Sequence, residues 1–435
     1  MGMQEQLDRL AKAVDSAQDS SARAALRGLF DDGVFTELDR FAGGDAPVSV
    51  VAAYGTVGGV AVYAFAQEHD VCCGAVTAAQ AAKIVRIYEL AAQNGAPVVG
   101  VFNSDGAKLD EGLSAMDAIA SILKASSDIS GVVPQIAVVA GSCVGSASLI
   151  AAAADAVIAV DGAAWRLNVG DDDAKPQISA DNVDDAMAKA RLLLGYFPSN
   201  NLESVPVYEW DMTAGAVSGA TDAAASEIAD AGSLLPLDTD GTTALARVGG
   251  GVVGMVTLAD DAIGCCKASR AARFVRLCDC FSIPVITFVD AASFATLKSA
   301  AKLSQAYIEA TTPKISVLTG KAYGAVYIAV AGKTVGADAV LAWPTAVISP
   351  LAPETAVQLL WTDKLAAMTD PDKERAALTA EYAETECSPL SAAAGGFVTD
   401  VVAPADTKQR LIAFMEMFAS KRISKLPRKH ANNQL

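Results

Sequence analysis

Histidine is almost missing from this chain: its 435 residues contain two, His69 and His430, and the second sits in a basic, Asn-rich tail. Nucleophilic devices of the Ser-His-Asp or Cys-His kind need an imidazole as base, so they have little to draw on here. The eight cysteines fall as Cys72-Cys73, Cys265-Cys266, the close pair Cys278 and Cys280, and singly at Cys143 and Cys387, with no Cys-x-x-Cys spacing. No metal site is therefore expected. Reduced, buried thiols are. A Gly-x4-Gly-Lys-Ser/Thr phosphate loop is also lacking, and the glycine run 249–251 is not set between a strand and a helix, so ATP chemistry is not expected. Basic charge is in short supply, 33 residues against 50 acidic, for a net charge of −17. Such a field repels nucleic acid, and no nucleic-acid partner is expected.

The N-terminus, MGMQEQLDRLAKAV, has neither the basic start nor the apolar stretch of a signal peptide, which predicts a cytoplasmic protein. Leu7, Leu10, Ala11 and Val14 would line one apolar face of a docking helix there. Residues 129–154 carry no charge and could span a bilayer by length alone. Pro134, Gln135, Gly141 and Gly145 interrupt them, and the stretch reads as a buried strand turning sharply into a packed helix.

What the chain does have is an internal repeat. PQIAVVAGSCVGSAS, from Pro134, aligns without gaps with PKISVLTGKAYGAVY, from Pro313. Pro134, Ile136, Val138, Gly141 and Gly145 recur as Pro313, Ile315, Val317, Gly320 and Gly324. A basic, apolar helix and a strand precede each copy, and ADAVIAV or ADAVLAW follows. Apolar strand runs separated by helical stretches predict an α/β fold with largely parallel, buried strands. In each copy a strand is expected to run into the first glycine, with a small-residue helix beginning at the second. Backbone N–H groups left unpaired there would face an approaching anion. With 52% hydrophobic residues, each half can bury its own core. The expected division is an N-terminal helical segment at 1–45 and two domains at 46–215 and 216–435.

In order along the chain, RGLFDDGVFTELD, NSDGAKLDEG, GVVPQIAVVAGSCVG, YFPSNN, AARFVRLCDCFSIPVITFVD, GKAYGAVY, GADAVLAWPTAVIS and PRKHANNQL appear. Together they resemble the carboxyltransferase subunits of biotin-dependent acyl-CoA carboxylases and decarboxylases, of the propionyl- and methylmalonyl-CoA class, here in a shortened and divergent form. That resemblance implies two tandem crotonase-like domains and transfer of a carboxyl group between carboxybiotin and the α-carbon of an acyl-CoA, propionyl-, methylmalonyl- or glutaconyl-CoA among them. It implies biotin on a separate carrier, a coenzyme A thioester as substrate, and no metal. It further implies a biotin carboxyl carrier protein as partner, with biotin carboxylase or membrane decarboxylase subunits, and a homodimer, higher homo-oligomer or hetero-oligomer with a paralogue. Membrane subunits would make the cytoplasmic protein peripheral to the membrane.

Carried over residue by residue, the first oxyanion site falls at Gly106, Ala107, Gly145 and Ser146, and the second at Gly324 and Ala325. Lys83, Lys108, Lys321 and Tyr323 become candidates for cofactor contact. Several positions depart from the family pattern. Asp105-Gly106 replaces a glycine pair, Gly145-Ser146 and Gly324-Ala325 replace two more, and Ala292-Ser293-Phe294 replaces a Pro-Gly-Phe loop that normally opens a longer segment. These departures leave an alternative, a catalytically weakened paralogue serving as a structural or binding subunit. Another crotonase-type reaction would need a carboxylate near Gly145, for which Asp105 and Glu111 are the candidates.

Overall fold

In the computed structural model the described residues are 3–7, 20–42, 48–168, 170–211, 217–366 and 371–432. The chain divides into two units, Met1–Ser204 and Val205–Leu435.

The first unit is built on an eight-stranded sheet. Its strands are β1 (Phe35–Leu38), β2 (Val50–Val57), β3 (Val60–Gln67), β4 (Val98–Ser104), β5 (Gln135–Val144), β6 (Ala156–Val160), β7 (Ala164–Arg166) and β8 (Ile178–Ala180). They lie in the order β1-β2-β3-β4-β5-β6-β8, with β7 also on β5. From β3 onward the pairs are parallel. The first two pairs are antiparallel, an edge the hydrophobic runs did not announce. Its hairpin turns at Gly58 and Gly59, φ 58° and 79°, the conformation that a two-residue turn between twisted strands demands. Both glycine N–H groups donate to the Asp31 carboxylate, at 3.0 and 2.9 Å, and Arg191 adds a third donor at 2.7 Å.

Those donors hold the Asp31 carboxyl well below the usual carboxylate range, the Gly59 N–H foremost. A carboxylate with a depressed folded-state pKa adds stability that is present above its unfolded value of about 3.9 and is lost as the pH falls through the folded one. Asp31→Asn should therefore lower the thermal midpoint at neutral pH. The gap from the native chain should close as the pH drops below about 3.9. Thermal unfolding of both proteins across that range checks it, and a gap independent of pH would contradict it.

The sheet is covered by helices whose apolar faces follow a helical period. Ala78–Asn94 turns Ala81, Ile84, Ile87, Tyr88 and Ala91 inward. Thr77 caps its first turn by accepting from Gln80 N, worth about 1 kcal/mol, and Gly95 at φ 60° ends it. Beneath it Phe65 meets Tyr88 and Phe102 edge-on, with ring centroids 6.0 and 5.4 Å apart.

The second unit repeats this plan. Strands β9 (Leu235–Pro236), β10 (Thr243–Val248), β11 (Gly251–Ile263), β12 (Val285–Phe294), β13 (Lys314–Tyr323), β14 (Ala339–Ala342), β15 (Val347–Ser349) and β16 (Asp400–Val401) lie in the order β16-β14-β13-β12-β11-β10-β9, with β15 on β13. Its core holds the fully buried Trp343, whose indole N–H donates to Thr407 Oγ1 at 2.9 Å. Tyr307 OH and Thr287 Oγ1 share a hydrogen bond of 2.7 Å within it.

The uncharged stretch 129–154 holds β5 and the short helix Ser148–Ala153, and among the described residues no helix is long and apolar enough to cross a membrane. Gly141 and Gly320 do not end their strands. Each lies inside one, because the strand changes partner, pairing with β6 or β14 before the glycine and with β7 or β15 after it. Ala292-Ser293-Phe294 is not a loop. These residues continue β12 beside β11 as far as Ile263↔Phe294, and Thr296 then caps the helix Leu297–Glu309. Of the proposed N-terminal apolar face, Leu7 belongs to the helical residues 3–7 and is exposed, whereas Leu10, Ala11 and Val14 lie outside the described residues.

Candidate active site at the strand ends

In both units the carboxyl ends of neighbouring parallel strands come together, the place where such sheets gather ligands. One side chain organises each. Asn103 Oδ1 accepts from Ser142 N at 3.0 Å, and Asp290 Oδ1 accepts from Lys321 N at 2.8 Å. At these points the register of β4 against β5, and of β12 against β13, shifts. A β-carbon on Gly141 would stand 2.5 Å from Asn103 Oδ1, and one on Gly320 would stand 2.3 Å from Asp290 Oδ1. The repeated glycine is therefore the space that lets the side chain bracket the bulge. Asn103 and Asp290 occupy the same place in PVVGVFNS and PVITFVDA. Aligning those two stretches residue by residue would have found them.

The second glycine of each copy turns the chain out of the strand, Gly145 at φ 66° and Gly324 at φ 42°. Val144 pairs with Arg166 and Tyr323 with Ser349, after which Gly324 N donates to Ser349 O at 2.9 Å. Gly324 N–H is thus committed. The residues that follow, Ser146 and Ala325, open short helical turns, and neither N–H has an acceptor among the described residues.

The first loop contributes a further donor. Gly106, φ 108°, donates its N–H to Ser104 Oγ at 3.1 Å, and its carbonyl accepts from Val76 N at 2.8 Å, so its N–H too is committed. Lys108 N donates to Val76 O at 3.0 Å, which fixes the chain on both sides of Ala107. Ala107 N–H, between those bonds, has no acceptor among the described residues. The loops approach closely, since a β-carbon on Gly106 would lie 3.3 Å from Val144 O. Of the expected oxyanion residues, Ala107, Gly145, Ser146 and Ala325 thus have N–H groups without an acceptor among the described residues, while Gly106 and Gly324 have theirs committed in the adjoining turns.

The candidate cofactor contacts separate. Lys83 is buried, its ammonium donating to Val50 O at 2.9 Å, and burial lowers its pKa. It ties the Ala78–Asn94 helix to β2 and does not reach solvent. Lys108 is half-buried beside Ala107. Lys321 is exposed and pairs with Asp261 at 2.7 Å, which raises the lysine and lowers the aspartate. Tyr323 is half-buried next to Gly324, and burial raises its phenol. The tail cations Lys421 and Arg428 pair with Asp338 and Glu309 at 2.7 and 3.0 Å.

The two candidate carboxylates are also occupied. Asp105 faces His69, with Oδ2 3.4 Å from Nε2. Glu111 caps the Ala78–Asn94 helix by accepting from Ala78 N at 2.9 Å. The buried amides behind the loop escaped sequence reasoning. Gln80, fully buried, donates to Ser49 O at 3.0 Å and to Gly74 O at 3.3 Å, and Gln67 Oε1 accepts from Asn103 N at 3.1 Å.

A sheet repeated twice, each copy ending in a bracketed bulge and a turn after which an N–H has no acceptor among the described residues, is the fold of the crotonase-like class. The carboxyl transferase domain matches residues 17–168 and 176–433. The methylmalonyl-CoA decarboxylase alpha subunit of Veillonella parvula is 32% identical over 95% of this chain and 92% of its own length. The carboxyltransferase subunit of propionyl-CoA carboxylase from Haloferax mediterranei is 32% identical over 98% of this chain and 95% of its own. The solved structure of the transcarboxylase 12S hexamer with methylmalonyl-coenzyme A and methylmalonic acid bound is similar at a TM-score of 0.89 and 29% identity, covering 100% of this chain and 99% of that one. This chain belongs to the carboxyl transferase domain family. Coverage of 92% of the Veillonella relative corrects the expectation of a shortened form.

Proposed function

We propose that this chain moves a carboxyl group between carboxybiotin and the α-carbon of a short acyl-CoA of the propionyl/methylmalonyl class, with backbone N–H groups stabilising the charge that develops. The observation that carries this reading is the pair of donors Ala107 and Ser146, without acceptors among the described residues, on two loops that the Asn103 bracket and the Gly106 turn hold together. Biotin, arriving as a co-substrate on a separate carrier protein, supplies the carboxyl group and a ureido nitrogen able to take the α-proton. The chain's own part is to bind and orient the thioester and to face its carbonyl oxygen with donors that need no reorganisation as the enolate forms. Ala325 N–H plays the matching role in the second unit, facing the ureido oxygen. Lys108 is placed to meet a CoA phosphate. Assembly as a homo-oligomer in the cytoplasm, with carrier and carboxylase or decarboxylase subunits, completes the reading.

The weakened-paralogue alternative rested on Ala292-Ser293-Phe294 and the segment missing after it, on the altered glycine pairs, and on Asp105, whose charge would oppose an enolate. That carboxylate faces His69, which gives it a cationic partner whenever the imidazole is protonated. Calorimetric titration of the chain with acetyl-, propionyl-, methylmalonyl- and glutaconyl-CoA, with free CoA as control, tests the thioester site. Affinity that depends on the acyl group is expected. Equal affinity for all five, or none, would overturn the thioester site.

A further inference from the structure

His69, Cys73 and Asp105 lie outside the set of donors assigned above, yet each offers a ligand atom and the three atoms stand within 4.8 Å of one another. They come from the carboxyl ends of adjacent strands. His69 follows β3, Cys73 lies in the turn Cys72–Gly74 after it, and Asp105 directly follows β4. No linear spacing marks the cluster, because the Cys-x-x-Cys and His-x3-His spacings of familiar metal sites are absent and the third ligand is 32 residues beyond Cys73.

The turn that presents Cys73 is held in an unusual backbone. Cys72, Cys73 and Gly74 all have positive φ, 51°, 53° and 64°. Non-glycine residues enter that region at a cost, so two in succession call for a surrounding structure that enforces them. That structure is visible. Cys73 O accepts from Asp105 N at 3.1 Å, Gly74 O accepts from the buried Gln80 amide at 3.3 Å, and a β-carbon on Gly74 would lie 2.1 Å from Asn103 O. The backbone bond between Cys73 and Asp105 fixes their side chains as neighbours, and Asp105 Oδ2 lies 3.4 Å from His69 Nε2.

Around a tetrahedral zinc-class ion with bonds of about 2.0–2.3 Å, ligand atoms stand roughly 3.3–3.8 Å apart. The His69–Asp105 separation already meets that, and small rotations of two surface side chains bring in the thiol. We propose that His69, Cys73 and Asp105 form a three-ligand site for a zinc-class divalent cation, its fourth position open to water. Nitrogen, thiolate and carboxylate donors suit zinc, and magnesium or calcium would not select a thiolate. Binding deprotonates the Cys73 thiol and releases one proton to solvent. The thiolate and carboxylate together then balance the charge of the ion, so an occupied site removes the net negative charge of Asp105 one residue from Gly106. The site is defined by these three side chains alone and stands whether or not the chain binds a thioester.

Cobalt(II), a spectroscopic stand-in for zinc, tests it on the chelator-treated full chain. One equivalent should bind with a thiolate-to-cobalt charge-transfer band. Cys73→Ser should abolish the band, His69→Ala and Asp105→Asn should each weaken binding by about tenfold or more, and Cys72→Ser should leave it intact. The altered side chains lie at the surface, and unchanged circular dichroism confirms folding. Absence of a stoichiometric band in the native chain, its survival in Cys73→Ser, or its loss in Cys72→Ser would overturn the site.

Discussion

Ala325→Pro should lower the rate of carboxyl transfer about 10²–10³-fold while leaving the fold intact. Ala325 is the first residue of the helix Ala325–Val330, preceded by Gly324 at φ 42° and ψ −110°. Proline suits a first helical position, since its fixed φ matches the helix and the missing N–H has no intrahelical acceptor there. Gly324 N–H keeps its bond to Ser349 O, so the turn itself is untouched. The substitution removes a donor and little else. Steady-state rates with thermal midpoints measured in parallel separate the two effects. A stable variant with native turnover would mean that Ala325 does not face a developing charge.

Gly320→Ala should cost about 2–4 kcal/mol of stability. The new β-carbon would meet Asp290 Oδ1 at 2.3 Å and Cγ at 2.4 Å, distances no packing tolerates. Asp290 must move, and its bond to Lys321 N breaks with it. Shortening that side chain should relieve the collision, so Asp290→Ala added to Gly320→Ala should cost less than the sum of the two single changes. Denaturant unfolding of the native chain, both single variants and the double variant checks this. Additive losses would show that the glycine is not there to make room for the carboxylate.

The repeat carried most of the fold. Five matched positions around the two glycine pairs announced two copies of one α/β unit, and the strand orders of the two sheets agree. Chain pattern said less about the edges. The antiparallel pair of β2 and β3 is buried like its parallel neighbours, so hydrophobicity alone could not tell their direction.

Around the site, backbone roles were legible and side-chain roles were not. Glycines at strand exits follow from the geometry of a turn, and Gly145 and Gly324 turn the chain where expected. Whether a given N–H is free depends on which acceptor the fold brings to it. Gly106 loses its N–H to Ser104 Oγ and Gly324 to Ser349 O, contacts that no spacing encodes. Lys83 shows the same limit. A lysine near a loop reads as a phosphate contact, yet it lies on the inward face of its helix, bonded to a strand carbonyl. The pairing of His69 with Asp105 arises from two adjacent strand ends and is invisible to any linear motif.

Transfer of isotope tests the central claim most directly. The chain is incubated with methylmalonyl-CoA labelled in its free carboxyl carbon and with biotin on its carrier protein, and label on biotin is measured. The account predicts that label appears on biotin, that native propionyl-CoA appears with it, and that Ala325→Pro slows both together. A folded chain that binds the thioester tightly and moves no label would contradict it, and would make the protein a binding subunit that holds the substrate for another catalyst.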